Sequence, residues 1–134
     1  MPRTTFGSDK VILNQLETIG LTWDSHIVYQ SKRTPVYDLA IKALSFLGHT
    51  FPCSCTRKKM SVKPHSCACR QGIADGPIGR SIRVRTDNQI ITVNDLLQGE
   101  YTQSLMSDIG DFIVKRTDGL FAYHLAVTVD DAEQ

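Results

Sequence analysis

An α/β fold is what this sequence predicts, and three observations predict it. Two stretches repeat apolar residues at helical spacing, one within 9–19 and one within 35–47. Past Arg80 the chain turns to short β-type runs. The last of these, Leu120 to Val129, is apolar on both alternating faces, as a central strand covered on two sides would be. Between helices and strands lies a polar, aperiodic segment that holds all the cysteines.

Taken in order, Ser8 can cap a first helix from about Asp9 to Ile19, with Asp9 in its positive first turn. Ile12, Leu16 and Ile19 would form its buried stripe, and Gly20 stops it. Leu21 to Asp24 is extended or loop, and Ile27-Val28-Tyr29 is strand-like. Thr34 can cap a second helix with Pro35 in its first turn, where a missing N–H costs nothing. Val36, Ala40, Ala43, Leu44 and Leu47 line one face of that helix, and Gly48 ends it. Thr50 to Cys55 is a short strand leading into the cysteine segment. Strands come next at Ser81–Arg85, Ile90–Val93 and Asp111–Arg116, with a helical turn capped by Asn94 and running to Gly99. Asp118-Gly119 marks a tight turn into the Leu120–Val129 run.

At 134 residues the chain has the length of one domain with one hydrophobic core. Hydrophobic residues at 41% and charged residues at 22% exclude a disordered composition. A formal charge of +1 gives no global argument for a nucleic-acid partner, so any basic footprint is local. Apolar runs fall short of membrane-spanning length, and the residues from Met1 to Thr5 lack a signal peptide's apolar stretch, so a cytoplasmic protein without a membrane partner is expected.

Cys53, Cys55, Cys67 and Cys69 fall within one short segment, a clustering that favours metal over a disulfide framework. A Cys-x-Cys pair on extended chain directs both thiolates to one side and cannot bridge itself without strain. A return pair from the far end of the loop completes the tetrahedron that zinc accepts. The four cysteines and His65 are five candidates for four places. Four protein ligands leave no open position, so the zinc is structural. Arg57, Lys58, Lys59 and Arg70 would offset thiolate charge.

Four motifs then carry a resemblance. Asp111-Phe112-Ile113-Val114-Lys115-Arg116-Thr117-Asp118-Gly119 followed by Leu120-Phe121-Ala122-Tyr123 and Ala126-Val127-Thr128-Val129-Asp130-Asp131 is similar to a stretch of class I glutamyl-type synthetases. Gly20-Leu21-Thr22-Trp23-Asp24 resembles their G-L-x-W-D, Gln30-Ser31-Lys32-Arg33 their Q-S-x-R, and Cys53-Ser54-Cys55-Thr56-Arg57 their C-x-C-T/S-R. The order matches from about Ser8 onward. The Leu120–Tyr123 version resembles the glutamyl-queuosine tRNA(Asp) synthetases more than full glutamyl-tRNA synthetases.

That resemblance implies a partial Rossmann-like class I catalytic core, a parallel sheet lacking its first strand–helix unit and closing strands. The chain would be a single partial catalytic domain over 1–134, with a zinc-binding insertion at 49–79. It implies zinc ligands Cys53, Cys55, His65 and Cys69, with His65 in a position the family gives to tyrosine and Cys67 as the alternative. Tyr123 is implied to help hold the glutamate substrate; the other reading is a core aromatic on a buried strand. His124, where the family has asparagine, is assigned no role. The implied reaction activates glutamate with ATP and Mg and transfers it to queuosine in the tRNA(Asp) anticodon, by a monomer. A His-x-Gly-His-type signature and a Lys-Met-Ser-Lys-Ser-type loop are both missing from these residues, so the chain alone is expected to be inactive. Lys59-Met60-Ser61-Val62-Lys63 only mimics the second, because it lies inside the cysteine loop and its second lysine is displaced. Two alternatives are a glutamyl-tRNA synthetase core fragment and a stand-alone zinc-containing RNA-binding module. The module would use Arg57, Lys58, Lys59, Lys63 and Arg70 with Arg80, Arg83 and Arg85.

Overall fold

A computed structural model describes residues 5–55, 68–73 and 81–134. The chain divides into two compact units, 1–30 and 31–134.

The first unit carries α1, Ser8–Thr18. It starts one residue earlier than the sequence predicts, after Gly7 rather than with a Ser8 cap. Gly20 ends it as expected: at φ 84° it lets its own N–H reach Glu17 O and the Leu21 N–H reach Leu16 O, a Schellman closure. The expected stripe is not buried. Ile12 and Ile19 are exposed, and with Gln15, Leu16 and Thr18 they line a surface groove. Ile27-Val28-Tyr29 forms no strand; the segment is irregular up to a 3-10 turn at Gln30–Lys32.

The second unit opens with α2, Thr34–Phe46, whose cap is Arg33 rather than Thr34. The Arg33 carbonyl accepts from Val36 N–H and Tyr37 N–H, so Pro35 still sits where no N–H is needed. Gly48 (φ 76°) closes the helix through bonds to Ser45 O and, from His49, to Leu44 O. The buried face is turned from the predicted one: Tyr37 and Ile41 are buried, Ala40 and Leu44 pack beside them, and Ala43 and Leu47 face solvent. Tyr37 is the reason, because its ring packs edge-on against Phe121 at 5.3 Å and draws its own side of the helix inward.

Strands β1 (Thr50–Cys53), β2 (Ser81–Val84) and β5 (Phe112–Lys115) form a sheet in the order β1-β2-β5. Both pairings are antiparallel, with Cys53 opposite Ser81 and Arg83 opposite Ile113. Mixed helix and sheet is as expected; the parallel sheet is not found among the described residues. Between Ile82 and Arg83 the register shifts, which leaves Val114 as an extra residue on β5. Its side chain is buried and its carbonyl accepts from Ala122 N–H.

A separate hairpin pairs β3 (Ile90–Asp95) with β4 (Gly99–Ser104). The helical turn predicted for Asn94–Gly99 is instead this hairpin's tip. Asp95 Oδ1 accepts from Leu97 N–H and Gln98 N–H, both at 2.8 Å, and Gly99 (φ 86°) completes the reversal. Those two backbone donors, Gln98 first, hold the Asp95 carboxyl below its ordinary range. A π turn, Leu105–Ile109, leads to β5.

The Asp118-Gly119 turn forms as predicted, with Gly119 at φ 83° and its N–H on Arg116 O. The strand expected after this turn is absent. Phe121 makes one bridge, to Lys115, and from Tyr123 onward the run is helix α3, Tyr123–Glu133. Phe121, Leu125 and Val129 are spaced by four, as are Ala122, Ala126 and Asp130, so the positions that alternate along a strand also share a helix face. The core is built from Tyr37, Ile41, Val114, Leu125 and Ala126. A second cluster joins Phe51 and Cys53 with Cys55 and Cys69 packed against it.

Candidate metal centre and its supports

Strand β1 delivers Cys53 to the interior, where it is 1% exposed, and Ser81 on β2 fixes it by donating Oγ–H to its carbonyl at 3.1 Å. Cys55 lies two residues on, half-buried, and its N–H donates to Cys53 Sγ at 3.4 Å. Cys69 comes from a 3-10 turn, Ala68–Gln71. The three sulfurs lie within 4.8 Å of one another.

Cys55 Sγ and Cys69 Sγ are 4.0 Å apart. A zinc tetrahedron with metal–sulfur bonds of about 2.3 Å has sulfur–sulfur edges of roughly 3.8 Å, whereas a disulfide needs about 2.05 Å. The spacing of the three sulfurs fits a shared metal ion better than a covalent bridge between Cys55 and Cys69. His65 and Cys67, the two candidates for the fourth place, lie outside the described residues. So do Arg57, Lys58, Lys59, Lys63 and Arg80, and with them the Lys59–Lys63 mimic.

Arg70 does not turn to the thiolates. Its guanidinium donates to the Thr86 carbonyl and pairs with Asp111, Nε to Oδ2 at 3.3 Å. The Asp111 carboxylate is buried, and its Oδ1 accepts from Thr86 N–H at 3.0 Å and Thr86 Oγ1–H at 3.2 Å. Arg83, read from the sequence as part of a basic strand for RNA, is 4% exposed, and its NH1 donates to the Asp111 carbonyl at 2.6 Å. Arg85 donates to the Arg70 carbonyl at 2.9 Å and lies over the Phe51 ring at 5.2 Å. Interior bonds thus account for arginines that the RNA-module reading places at a surface.

At the other end of the unit, Arg33 Nε meets Asp130 Oδ1 at 2.7 Å and Arg33 NH2 meets Glu133 Oε2 at 2.5 Å. Tyr37 O–H donates to Asp130 Oδ2 at 2.8 Å. The Glu133 hydrogen bond, then the charges of Glu133 and Asp130, raise the Arg33 pKa against a lowering by burial. Glu133 is more than half exposed, so solvent screens its share, and the Asp130 contact is the structural one. Burial first, and then the Asp130 hydrogen bond, push the Tyr37 hydroxyl above its ordinary range.

Tyr123 opens α3 and is 71% exposed, which removes the buried-strand reading of its ring. His124 beside it packs edge-on against Phe112 at 5.9 Å. The sequence supplied Arg33 and Asp130 as motif residues without their pairing, and it missed the burial of Asp111. The signal was there: an acid directly before an apolar strand, and two arginines alternating on another.

The first half of the chain, residues 1–71, matches the family model described as tRNA synthetases class I (E and Q), catalytic domain. The Glutamyl-Q tRNA(Asp) synthetase of Chromobacterium violaceum is 43% identical over 141 residues, which cover 99% of this chain and 47% of that protein. The protein of the same name from Thiobacillus denitrificans is 41% identical with the same coverage. The chain therefore spans about half the length of the curated relatives it matches. In fold it resembles a glutamate tRNA ligase from Elizabethkingia meningosepticum, solved in complex with its amino acid, at a TM-score of 0.77 and 21% identity. That likeness covers 98% of this chain and 33% of the other.

Proposed function

The chain belongs to the catalytic-domain family of the class I tRNA synthetases (E and Q), and within it we propose that these residues are part of a glutamyl-queuosine tRNA(Asp) synthetase. The reaction proposed is activation of glutamate by ATP with Mg, then transfer of the glutamyl group to queuosine in the tRNA(Asp) anticodon. The observation that carries this reading is identity above 40% along nearly the whole chain to proteins of that name, against 21% to the glutamate tRNA ligase that shares the fold.

Catalysis of this type rests on positioning and on electrostatic stabilisation of phosphates. The residues here serve the first. Arg33 and Asp130 fix α2 against α3, which sets the start of α3 and presents Tyr123 to solvent, where its ring and hydroxyl can contact glutamate. Segment 49–79 is the zinc-binding insertion, its first strand built into the sheet. Cys53, Cys55 and Cys69, with His65 as the fourth ligand, would hold a zinc ion that cross-links the segment. The 134 residues contain neither a His-x-Gly-His-type nor a Lys-Met-Ser-Lys-Ser-type phosphate signature, and we propose that they do not activate glutamate by themselves. The working protein is proposed to be a cytoplasmic monomer; among the described residues no helix is long and apolar enough to cross a membrane.

A chimera joining this chain to the remainder of the Chromobacterium violaceum relative tests the reading. We expect it to glutamylate queuosine-containing tRNA(Asp) and leave tRNA(Glu) uncharged, while the chain alone gives no glutamate-dependent ATP–pyrophosphate exchange. Charging of tRNA(Glu) by the chimera would favour the glutamyl-tRNA synthetase alternative instead.

A further inference from the structure

We propose that Asp111 is the positioning residue of the cysteine cluster, acting through Arg70 to hold Cys69 where it can share a metal ion with Cys53 and Cys55. This rests on the metal-binding reading above. The two sides of the cluster reach their places by different means. Cys53 ends a strand in register with β2, and Cys55 follows two residues on, its N–H donating to Cys53 Sγ. Cys69 sits on a single 3-10 turn of four residues, which has little stiffness of its own.

Cys69 touches Ser54 and packs on the Phe51–Cys53 cluster, and the turn is bound into the interior at Arg70 beside it. The Arg70 side chain spans the Thr86 carbonyl and the Asp111 carboxylate, and its carbonyl takes the Arg85 donor at 2.9 Å. Asp111 is itself immobilised: both Thr86 donors hold Oδ1, and Arg83 holds its carbonyl. Oδ2 is left facing Arg70, at 3.3 Å and without hydrogen-bond alignment. A buried carboxylate therefore reaches the third ligand through one arginine. Groups standing one step behind metal ligands commonly set affinity, because they fix ligand orientation before the metal arrives.

Asp130 supplies an internal comparison. It too is a buried carboxylate paired with an arginine and a neighbouring hydroxyl, but its partners are Arg33 and Tyr37. Loss of a buried carboxylate as such should act alike at both sites; positioning of Cys69 should act at Asp111 alone.

The experiment measures zinc affinity by competition with a chromophoric chelator, and the cobalt(II) absorption spectrum, on the full chain as wild type, Asp111→Asn, Arg70→Lys and Asp130→Asn. We expect Asp111→Asn and Arg70→Lys to weaken zinc binding by about 10- to 100-fold while thiolate-to-cobalt absorption persists. Asp130→Asn should lower the unfolding midpoint and leave zinc affinity within about twofold. Arg70→Lys keeps the charge and loses only the planar fork, so it carries the test should Asp111→Asn not fold. Wild-type affinity in both cluster variants, or equal weakening by Asp130→Asn, overturns the proposal. Absence of tight metal binding by the wild type overturns the metal reading itself, and the proposal with it.

Discussion

Arg33 and Asp130 stand 97 residues apart in sequence and 2.7 Å apart in space, and their contact joins the cap of α2 to the last turns of α3. Each belongs to a separate motif by which the sequence resembles its family. Their pairing gives those motifs a physical reason: the arginine that starts one helix holds the acid that ends another.

Removing the Tyr37 hydroxyl should show how much that junction contributes. Tyr37→Phe deletes one donor to a buried carboxylate, and we expect a loss of about 1.5–3 kcal/mol in urea unfolding. Asp130→Asn should cost more, because it disturbs the Arg33 pair and the Tyr37 bond together. A Tyr37→Phe variant as stable as wild type would show that the hydroxyl adds nothing.

The same hydroxyl predicts an alkaline limb. Its folded pKa lies above the ordinary 10.0, so the native state keeps a proton that the unfolded state has already lost. Stability is therefore fully present below pH 10 and declines as pH rises through the folded value. Unfolding midpoints measured across that range should fall in wild type and fall less steeply in Tyr37→Phe.

Burial, rather than apolar spacing, should rank the helices. Leu125→Ala in α3 opens the core and should cost about 2–5 kcal/mol. Ile12→Ala in α1 removes an exposed side chain and should stay within about 0.5 kcal/mol. Equal losses at the two positions would contradict the placement of the core.

Those residues also show what was legible in advance. Glycine stops at Gly20 and Gly48, the Asp118-Gly119 turn and strands 50–53, 81–84 and 112–115 could be read because local chemistry fixes them. The identity of α3 could not, since spacing by four satisfies strand alternation and a helix face alike. The stripe on α1 misled because periodicity reports a surface fit for burial, not the neighbour that buries it. At the site, spacing offers the four cysteines and His65 for four places and only the resemblance singles out Cys69; Cys53, Cys55 and Cys69 lie together in the structure. Charge on a strand says nothing of the partner that takes it inside: buried Arg83 donates to the Asp111 carbonyl, 28 residues away.

Tyr123 should separate binding from folding. Exposed at the first turn of α3, it can be replaced by alanine with a stability change within about 0.5 kcal/mol. Glutamate-induced chemical-shift changes, or the glutamate KM of the chimera, should weaken in the same variant. A Tyr123→Ala protein that binds glutamate as wild type does would remove this residue from the substrate site.

Metal content tests the centre itself most directly. Plasma emission on the purified chain should give a single equivalent of zinc, bound by Cys53, Cys55, Cys69 and His65, with Cys53→Ser losing it. Loss in Cys67→Ser with His65→Ala tolerated would reassign only the fourth ligand. Unchanged zinc in Cys53→Ser would contradict the site.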